Sequence, residues 1–345
     1  MKYLNSILLF FLWGLPFTGL SQSDSLQKII DNKKSSASQK LAAYVGLAEY
    51  FSIKDFDKTI AIYEIGKDLV KQTEDSVAHA RLARITGVAY YFKGQYEKAA
   101  SLYYEAITVL EKLGEKKQLA LALNDLAKLY RKTRDLDKAL LYYDRARQLF
   151  TDLRDSSGIQ MILNESGVVY EYKEDFAEAI RHYEASLQIA RALNDKVGIA
   201  YALSFIAGVY TIQKNYTAAE KYLKEVLSIR ESLKDTFTIA LTHTDLGVLY
   251  SAKGDYGNAI QNLTLSNKVA KELKYPELQS SNYRELSTVA TNSGNYQAAL
   301  DYYKKYTAIR DSLFSVEKTK QITELNTRYE TEKKEQQILL QQSEL

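Results

Sequence analysis

The chain has 345 residues, of which 46% are hydrophobic and 26% charged, and its formal net charge is +3. This near-neutral balance contains no long run of basic residues. It argues against a nucleic-acid-binding surface, which needs concentrated positive charge to displace counterions. The sequence has no cysteine, which excludes disulfides and thiol catalysis, and only two prolines, so long helices can run without interruption.

The first segment, residues 1–21, has the pattern of a signal peptide. Lys2 precedes an apolar run over residues 4–15, which Pro16 ends, and small residues stand before a cleavage site after Ser21. The run is short for a membrane span of about 20 residues. An uncleaved N-terminal anchor is the alternative interpretation. We therefore expect an exported protein that is periplasmic in a bacterium, or the outer-facing part of an inner-membrane protein.

Residues 22–36 are predicted to form a short capping helix and a link to the next segment. Leu26, Ile29 and Ile30 supply the apolar side of the helix, and the link is rich in serine. From residue 37 to residue 316 the chain then repeats every 40 residues without gaps. Such a fixed period indicates a stack of equivalent structural units.

Five columns carry the repeat. The first column, called here the small-residue column, holds Leu47, Gly87, Ala127, Gly167, Ala207, Gly247 and Ser287. Three residues later stand Tyr50, Tyr90, Tyr130, Tyr170, Tyr210, Tyr250 and Ala290. Nine, twelve and sixteen residues after the small-residue column come an aromatic or Leu, an Ala or Thr, and a Tyr or Leu; the second row reads Tyr96, Ala99 and Tyr103.

The columns predict two helices in each unit. Small residues allow the two backbones to approach closely, and the aromatic side chains fill the space beside them. A turn such as Lys93-Gly94-Gln95 separates the helices, because Gly at a helix end adopts the left-handed conformation at little cost. Each unit is therefore a helix of about 17 residues, a turn and a helix of about 18. Acidic residues are predicted to cap the next unit at Glu115, Asp155, Asp195 and Asp235.

These residues resemble the tetratricopeptide repeat, best in Gly87-Val-Ala-Tyr90-Tyr-Phe-Lys-Gly94-Gln-Tyr96-Glu-Lys-Ala99. The resemblance implies an all-α fold, a right-handed α-solenoid of about seven helical hairpins. The sequence departs from the family in its period of 40 rather than 34 residues, and in the missing closing Pro. Both departures imply a longer second helix, as in the subgroup of these repeats that binds peptides in signalling proteins.

No catalytic constellation follows from the sequence. His79, His182 and His243 fall at three different repeat positions, which argues against one metal shell. The glycines lack the Lys-Ser/Thr pair of a phosphate-binding loop. We therefore expect a protein that is not an enzyme and has no cofactor or metal.

The resemblance implies a binding groove on the first helices, at fixed offsets from the small-residue column. The offset of three residues before it gives Tyr44, Arg84, Asn124, Asn164, Ser204, Thr244 and Arg284. The predicted peptide-binding residues are Arg81, Arg84, Tyr91, Asn124, Lys128, Arg131, Lys132, Asn164 and Arg284. Asn amides can pair with an extended backbone, and Arg and Lys favour carboxylates. The expected partner is a protein or peptide, with an acidic segment favoured. Ordinary solvated polar residues are the alternative.

The last segment, residues 317–345, is predicted to be a charged helix with a thin apolar stripe that includes Ile322, Leu325 and Tyr329. It fits either a capping helix or a two-chain coiled coil that would join a homodimer. Exported repeats followed by such a helix resemble the sensor part of bacterial membrane-bound regulators, in which a membrane span and a kinase or DNA-binding output come next. A free periplasmic scaffold that assembles envelope proteins is the alternative, and a non-catalytic subunit of an enzyme complex is a third.

Overall fold

The computed structural model describes residues 19–52 and 55–313, and within these ranges it contains helices and turns but no strand. The all-α expectation is confirmed. The chain divides into two compact units. The described part of the N-terminal unit ends at Leu153, and the C-terminal unit begins at Arg154. Most of the predicted signal peptide and the charged segment 317–345 lie outside the described residues.

The N-terminal unit consists of a leading helix and three helical hairpins. Its helices are α1 (Gly19–Asp31), α2 (Ala37–Phe51), α3 (Phe56–Thr73), α4 (Ser76–Phe92), α5 (Tyr96–Leu113), α6 (Lys116–Lys132) and α7 (Leu136–Asp152). The hairpins are α2–α3, α4–α5 and α6–α7. Their first helices α2, α4 and α6 also pack side by side, as the predicted repeat requires.

The C-terminal unit contains four hairpins built in the same way. Its helices are α8 (Ser156–Tyr172), α9 (Phe176–Ala192), α10 (Lys196–Ile212), α11 (Tyr216–Leu233), α12 (Thr236–Lys253), α13 (Tyr256–Glu272), α14 (Pro276–Asn292) and α15 (Tyr296–Leu313). The first helices α8, α10, α12 and α14 pack in sequence. All described helices from α4 onward have 17 or 18 residues, close to the predicted lengths.

The helix boundaries follow a period of 20 residues. A left-handed residue with positive φ ends a helix at 74, 94, 114, 134, 154, 174, 194, 214, 234, 254, 274 and 294. Gly occupies four of these positions, including Gly94 and Gly254, as the turn motif predicts. The other eight carry side chains, which is unfavourable in this conformation. From residue 74 to residue 294, two left-handed turns per 40 residues thus set the length of the hairpins.

Helix N-caps only partly match the prediction. The carboxylates of Asp155 and Asp235 accept hydrogen bonds from the backbone N–H groups of Gly158 and Thr238, as expected. Glu115 and Asp195 also stand at the N-cap positions of α6 and α10, but their side chains make no capping hydrogen bond. The longer Glu side chain is a poor cap. Asp195 Oδ2 instead accepts from Gln160 Nε2 at 3.4 Å.

The small-residue column brings the two helices of a hairpin together. A Cβ atom added to Gly87 would lie 2.6 Å from Tyr103 Cε1, and one added to Gly247 would lie 2.5 Å from Leu263 Cγ. Both distances are too short for a real contact. Tyr103 is only 1% exposed, and Tyr183, at the same column, is completely buried. The prediction that small residues admit close backbones beside large side chains is confirmed.

Helix α1 covers the start of the repeats, close to the predicted capping helix. It begins at Gly19, so the last three residues of the predicted signal peptide are helical in this structure. Leu26 of α1 packs on Gly46 of α2, with its Cδ1 atom 3.1 Å from the position that a Cβ would take. Ser36 and Gln39 then form a capping box that starts α2.

Candidate binding surface

The predicted groove position three residues before the small-residue column lies between neighbouring first helices; it is called here the seam position. Arg84 of α4 reaches across to α6, where its Nη1 donates to Asp125 Oδ2 at 2.8 Å. Thr244 of α12 reaches in the same direction, and its Oγ1 donates to Asn282 Oδ1 of α14 at 2.8 Å. Seam residues therefore connect one hairpin to the next.

Three of the predicted cations of the N-terminal unit, Arg81, Arg84 and Lys128, lie close to carboxylates. Arg81 Nη2 lies 2.7 Å from Glu49 Oε1 on α2. Lys128 Nζ lies 3.9 Å from Asp125 Oδ1, on the carboxylate that Arg84 also contacts. Arg131 is buried, and both it and Lys132 have interactions within the protein. The acidic-partner expectation depended on this positive charge, and it stays a prediction.

Tyr91 and Asn124 are enclosed rather than open to solvent. The Tyr91 ring lies 5.7 Å from the Tyr96 ring, and the side chain is buried. Asn124 Nδ2 donates to Asp125 Oδ1 at 3.2 Å, whereas its Oδ1 is buried without a hydrogen bond. The acceptor capacity of this amide is therefore unused in the N-terminal unit.

The C-terminal unit has two neighbouring seam residues with unpaired polar atoms. Asn164 of α8 is 0% exposed, and neither its Nδ2 nor its Oδ1 has a hydrogen-bond partner. Ser204 of α10 is 5% exposed, and its Oγ is also unpaired. Buried polar groups without partners cost free energy, so they are expected to serve a ligand or a water molecule. Arg284, the last predicted site residue, pairs with Glu285 at 2.6 Å.

Two charged residues that the sequence did not single out belong to the C-terminal unit, where Arg230 is buried and Asp245 is half-buried. Arg230 of α11 is 2% exposed, at a column where other hairpins bury apolar side chains such as Leu110 and Phe150. Its Nη1 donates to Thr238 O at 3.1 Å and to Thr242 Oγ1 at 2.8 Å, while Nη2 has no partner. The 40-residue alignment contains this signal, because Arg230 interrupts a column that is otherwise apolar as far as Ala270 and that carries a second arginine, Arg310, in the last hairpin.

The second of these residues is Asp245 of α12. Its Oδ2 atom is buried without a hydrogen bond. Burial raises the pKa of Asp245 to about 7, although the charge of Arg230 opposes that shift. The same burial lowers the pKa of Arg230. A carboxylate that has a raised pKa and a buried oxygen without a hydrogen bond is a candidate ligand contact.

The histidines and carboxylates form no metal centre among the residues that the structure describes. His79 Nε2 lies 2.9 Å from Glu105 Oε1, His182 Nδ1 lies 2.9 Å from Glu178 O, and His243 Nδ1 lies 2.9 Å from Asn262 Oδ1. Each histidine thus has its own local contact. Within the described ranges, no helix is both long enough and apolar enough to span a bilayer.

The family comparison matches the two best-patterned stretches of the chain. Residues 87–152 and 158–232 match the model of the tetratricopeptide repeat. The chain carries tetratricopeptide repeats. In the 40-residue alignment, the same columns continue through the hairpins on either side of the matched residues. No curated protein matches the chain.

Solved structures with tetratricopeptide-type stacks share the fold. A Rap protein complexed with competence and sporulation factor has a TM-score of 0.70 and 16% identity, covering 84% of this chain and 80% of that one. The apo form of RapI has a TM-score of 0.64 and 17% sequence identity, and the match covers 79% of this chain and 98% of that one. Aspartyl phosphate phosphatase F from Bacillus subtilis has a TM-score of 0.65 and 11% identity, and the match covers 84% of this chain and 79% of that one. At these identities the likeness extends to the fold alone, an α-solenoid of tetratricopeptide hairpins.

Proposed function

We propose that the first helices of this repeat protein bind an extended segment of another polypeptide. The observation that carries the proposal is Asn164, whose amide group is completely buried with both polar atoms unpaired. An Asn side chain offers two N–H donors and a carbonyl acceptor, which match the N–H and C=O groups of an extended backbone. Leaving both unpaired costs about 1–3 kcal/mol per group unless a ligand or water satisfies them.

Within the C-terminal unit the neighbouring seam residue extends this recognition surface, because Ser204 supplies a further unpaired hydroxyl. In the N-terminal unit, considered by itself, the equivalent Asn124 also has a carbonyl oxygen without a hydrogen bond. Main-chain recognition is independent of side chains, so it gives affinity for an extended conformation. The charged residues beside it would then supply specificity. The complex of a Rap protein with competence and sporulation factor supports the idea that this fold can present a ligand site.

We further propose that this binding is the sensing step of an extracytoplasmic signal-transduction protein. The predicted signal peptide at residues 1–21 and the charged helix predicted for 317–345 support that role. In this role, ligand binding would be transmitted through the terminal helix. A free periplasmic scaffold would bind its partner in the same way but would transmit nothing.

The binding proposal is tested with an array of unstructured decapeptides of varied composition and the full chain. Peptides that bind the wild type are expected to bind Asn164→Ala about tenfold more weakly, since a buried amide loses its hydrogen bonds to the ligand. The matched control is Gln188→Ala, which removes an exposed amide from the second helix α9 and should leave binding unchanged. Binding that is equal in all three proteins, or absent from the whole array, contradicts the proposal.

The export and sensing proposals need separate measurements. Expression in a bacterial host, followed by N-terminal sequencing of the periplasmic fraction, is expected to give a chain that starts at Gln22. A cytoplasmic chain that retains Met1 contradicts export. Sequencing the gene past Leu345 is expected to reveal a membrane span of about 20 apolar residues. An immediate stop codon would favour the scaffold instead.

A further inference from the structure

Two equivalent seams of the repeat differ in one charged partner. In the N-terminal unit the seam residue Arg84 meets Asp125, which stands 41 residues later. In the C-terminal unit the same two repeat positions hold Ser204 and Asp245. Here the carboxylate is kept, but the arginine that would neutralise it is replaced by a short hydroxyl. Both Ser204 Oγ and Asp245 Oδ2 are buried and unpaired.

The replacement shortens the side chain at the seam position of α10. Ser is several atoms shorter than Arg, so Ser204 makes no contact with Asp245 of the kind that Arg84 makes with Asp125. One turn further along α10 stands Gly208, and a Cβ atom added there would meet no atom within 4 Å. On the preceding first helix, the unpaired amide of Asn164 occupies the adjacent seam position. Acceptor oxygens and open space thus occur together.

We infer that Ser204, Gly208 and Asp245 form a subsite for a cationic group of the bound peptide, an arginine or lysine side chain. The ligand's cation would take the position that the guanidinium of Arg84 takes at Asp125. Its N–H groups would donate to Asp245 Oδ2 and Ser204 Oγ. This inference rests on the proposed peptide binding, and it adds the class of side chain that the C-terminal unit accepts.

The surrounding charges are consistent with a place for a cation. The positive charge of Arg230 of α11 lowers the pKa of Asp245, but the two side chains do not form an ion pair. The Arg230 guanidinium instead donates hydrogen bonds to Thr238 and Thr242. Burial keeps the pKa of Asp245 at about 7 despite that positive charge. A cation in direct contact would favour the ionised carboxylate and lower this pKa.

Several titratable groups on α12 and on the helices around it have contacts of their own. Arg284 and Glu285 of α14 pair with each other, and Tyr201 of α10 lies under the guanidinium of Arg230. His243, on α12 itself, contacts Asn262 of α13. The ionisation of Asp245 is therefore the step expected to couple cation binding to pH.

The test uses the full chain with Asp residues labelled with ¹³C at the carboxyl carbon, and N-acetylarginine amide as the probe. The Asp245 resonance is assigned by its loss in Asp245→Asn. The probe is expected to lower the pKa of Asp245, and its affinity is expected to fall about tenfold or more between pH 8 and pH 5.5 as the carboxylate is protonated. N-acetylcitrulline amide, a neutral analogue of the same shape, should have no such effect.

Two internal controls make the result specific. Asp125 already has Arg84 as its partner, so its resonance should not respond to the probe. Ser204→Arg should supply the missing cation, lower the pKa of Asp245 without any probe and abolish the response to it. If Ser204→Arg does not fold, the wild-type titration still decides.

An Asp245 pKa that the arginine probe leaves unchanged overturns the subsite, as does an equal response to the citrulline probe. Peptide binding in the array that depends on Asn164 would survive that outcome. Conversely, an empty array with a positive titration would leave the cation site standing without the peptide. The two failures are therefore distinguishable.

Discussion

The Arg84 guanidinium donates to the Asp125 carboxylate at 2.8 Å, and the two side chains are only 14% and 11% exposed. This ion pair joins α4 to α6 at the seam between first helices. Because both charges are largely removed from water, each depends on the other for compensation. The contact therefore has a structural role, because it joins two neighbouring hairpins.

Replacement of one member of the pair tests this role. Arg84→Met is expected to lower the free energy of unfolding by about 1–3 kcal/mol, because Asp125 is left with the neutral amide of Asn124 and the more distant Lys128. The double variant Arg84→Met with Asp125→Leu should recover much of that loss. Urea unfolding of the wild type, both single variants and the double variant gives the coupling. Additive effects of the two single changes would contradict a direct interaction.

The left-handed helix ends make a second prediction. Lys214 has a φ of 62° at a position where the equivalent hairpins carry Gly94, Gly254 or Gly294. Lys214→Gly is expected to stabilise the protein by about 0.5–1 kcal/mol, since Gly adopts this conformation without a steric penalty.

The control for this prediction is Lys221→Gly in the interior of α11, also at an exposed lysine. It should destabilise the protein by about 1 kcal/mol, because Gly is a poor helix former. Thermal unfolding monitored by circular dichroism compares the two variants. If they shift the midpoint in the same direction, the explanation from backbone conformation fails.

Close helix packing at the Ala or Thr column, twelve residues after the small-residue column, leads to a third prediction. Ala179 lies in α9 with no exposed surface, next to the first helix of its hairpin. Ala179→Leu is expected to cost about 1–3 kcal/mol through overpacking. Ala192→Leu, at an exposed position in the same helix, should change stability by less than about 0.5 kcal/mol. Chemical denaturation measures both, and equal effects would show that the column is not tightly packed.

Asp245 predicts a pH dependence of stability. Its folded-state pKa of about 7 lies above the ordinary value for Asp, so the folded state retains a proton that the unfolded state releases. The free energy of unfolding is therefore expected to decrease as the pH rises from the ordinary pKa of Asp to about 7, and to stay reduced above about pH 7.

Asp245→Asn should remove this component. Between pH 5 and pH 8, the wild type is expected to lose about 1–3 kcal/mol more stability than the variant. Urea unfolding at the two pH values measures the difference. Parallel pH profiles would show that Asp245 ionises normally in the folded protein.

The repeat period made the fold predictable, whereas the site depended on contacts between repeats. The small-residue column and the turn glycines indicate hairpins of the observed length, because each unit uses the same local packing. Left-handed ends at residues such as Arg134 and Lys214 were not predicted individually, since they carry no Gly. Their positions follow from the period, which outweighs the local preference.

The candidate binding surface was harder to predict because its residues pair across the seams. Arg84 and Lys128 suggest a positive groove when they are considered alone, but both contact Asp125 from a neighbouring turn or helix. The offset from the small-residue column predicts Asn164 as a groove position, whereas the absence of any partner for its amide follows only from the packed structure. Asp245 was missed because a single acidic residue in a helix carries no signal until its environment is known.

The most direct test of peptide binding is amide hydrogen exchange of the full chain, with and without the tightest peptide from the array. Protection is expected to increase along the first helices, above all α8 and α10 around Asn164 and Ser204, while the second helices α9 and α11 remain unchanged. Protection confined to the second helices, or no change in either set, would contradict the proposed binding surface.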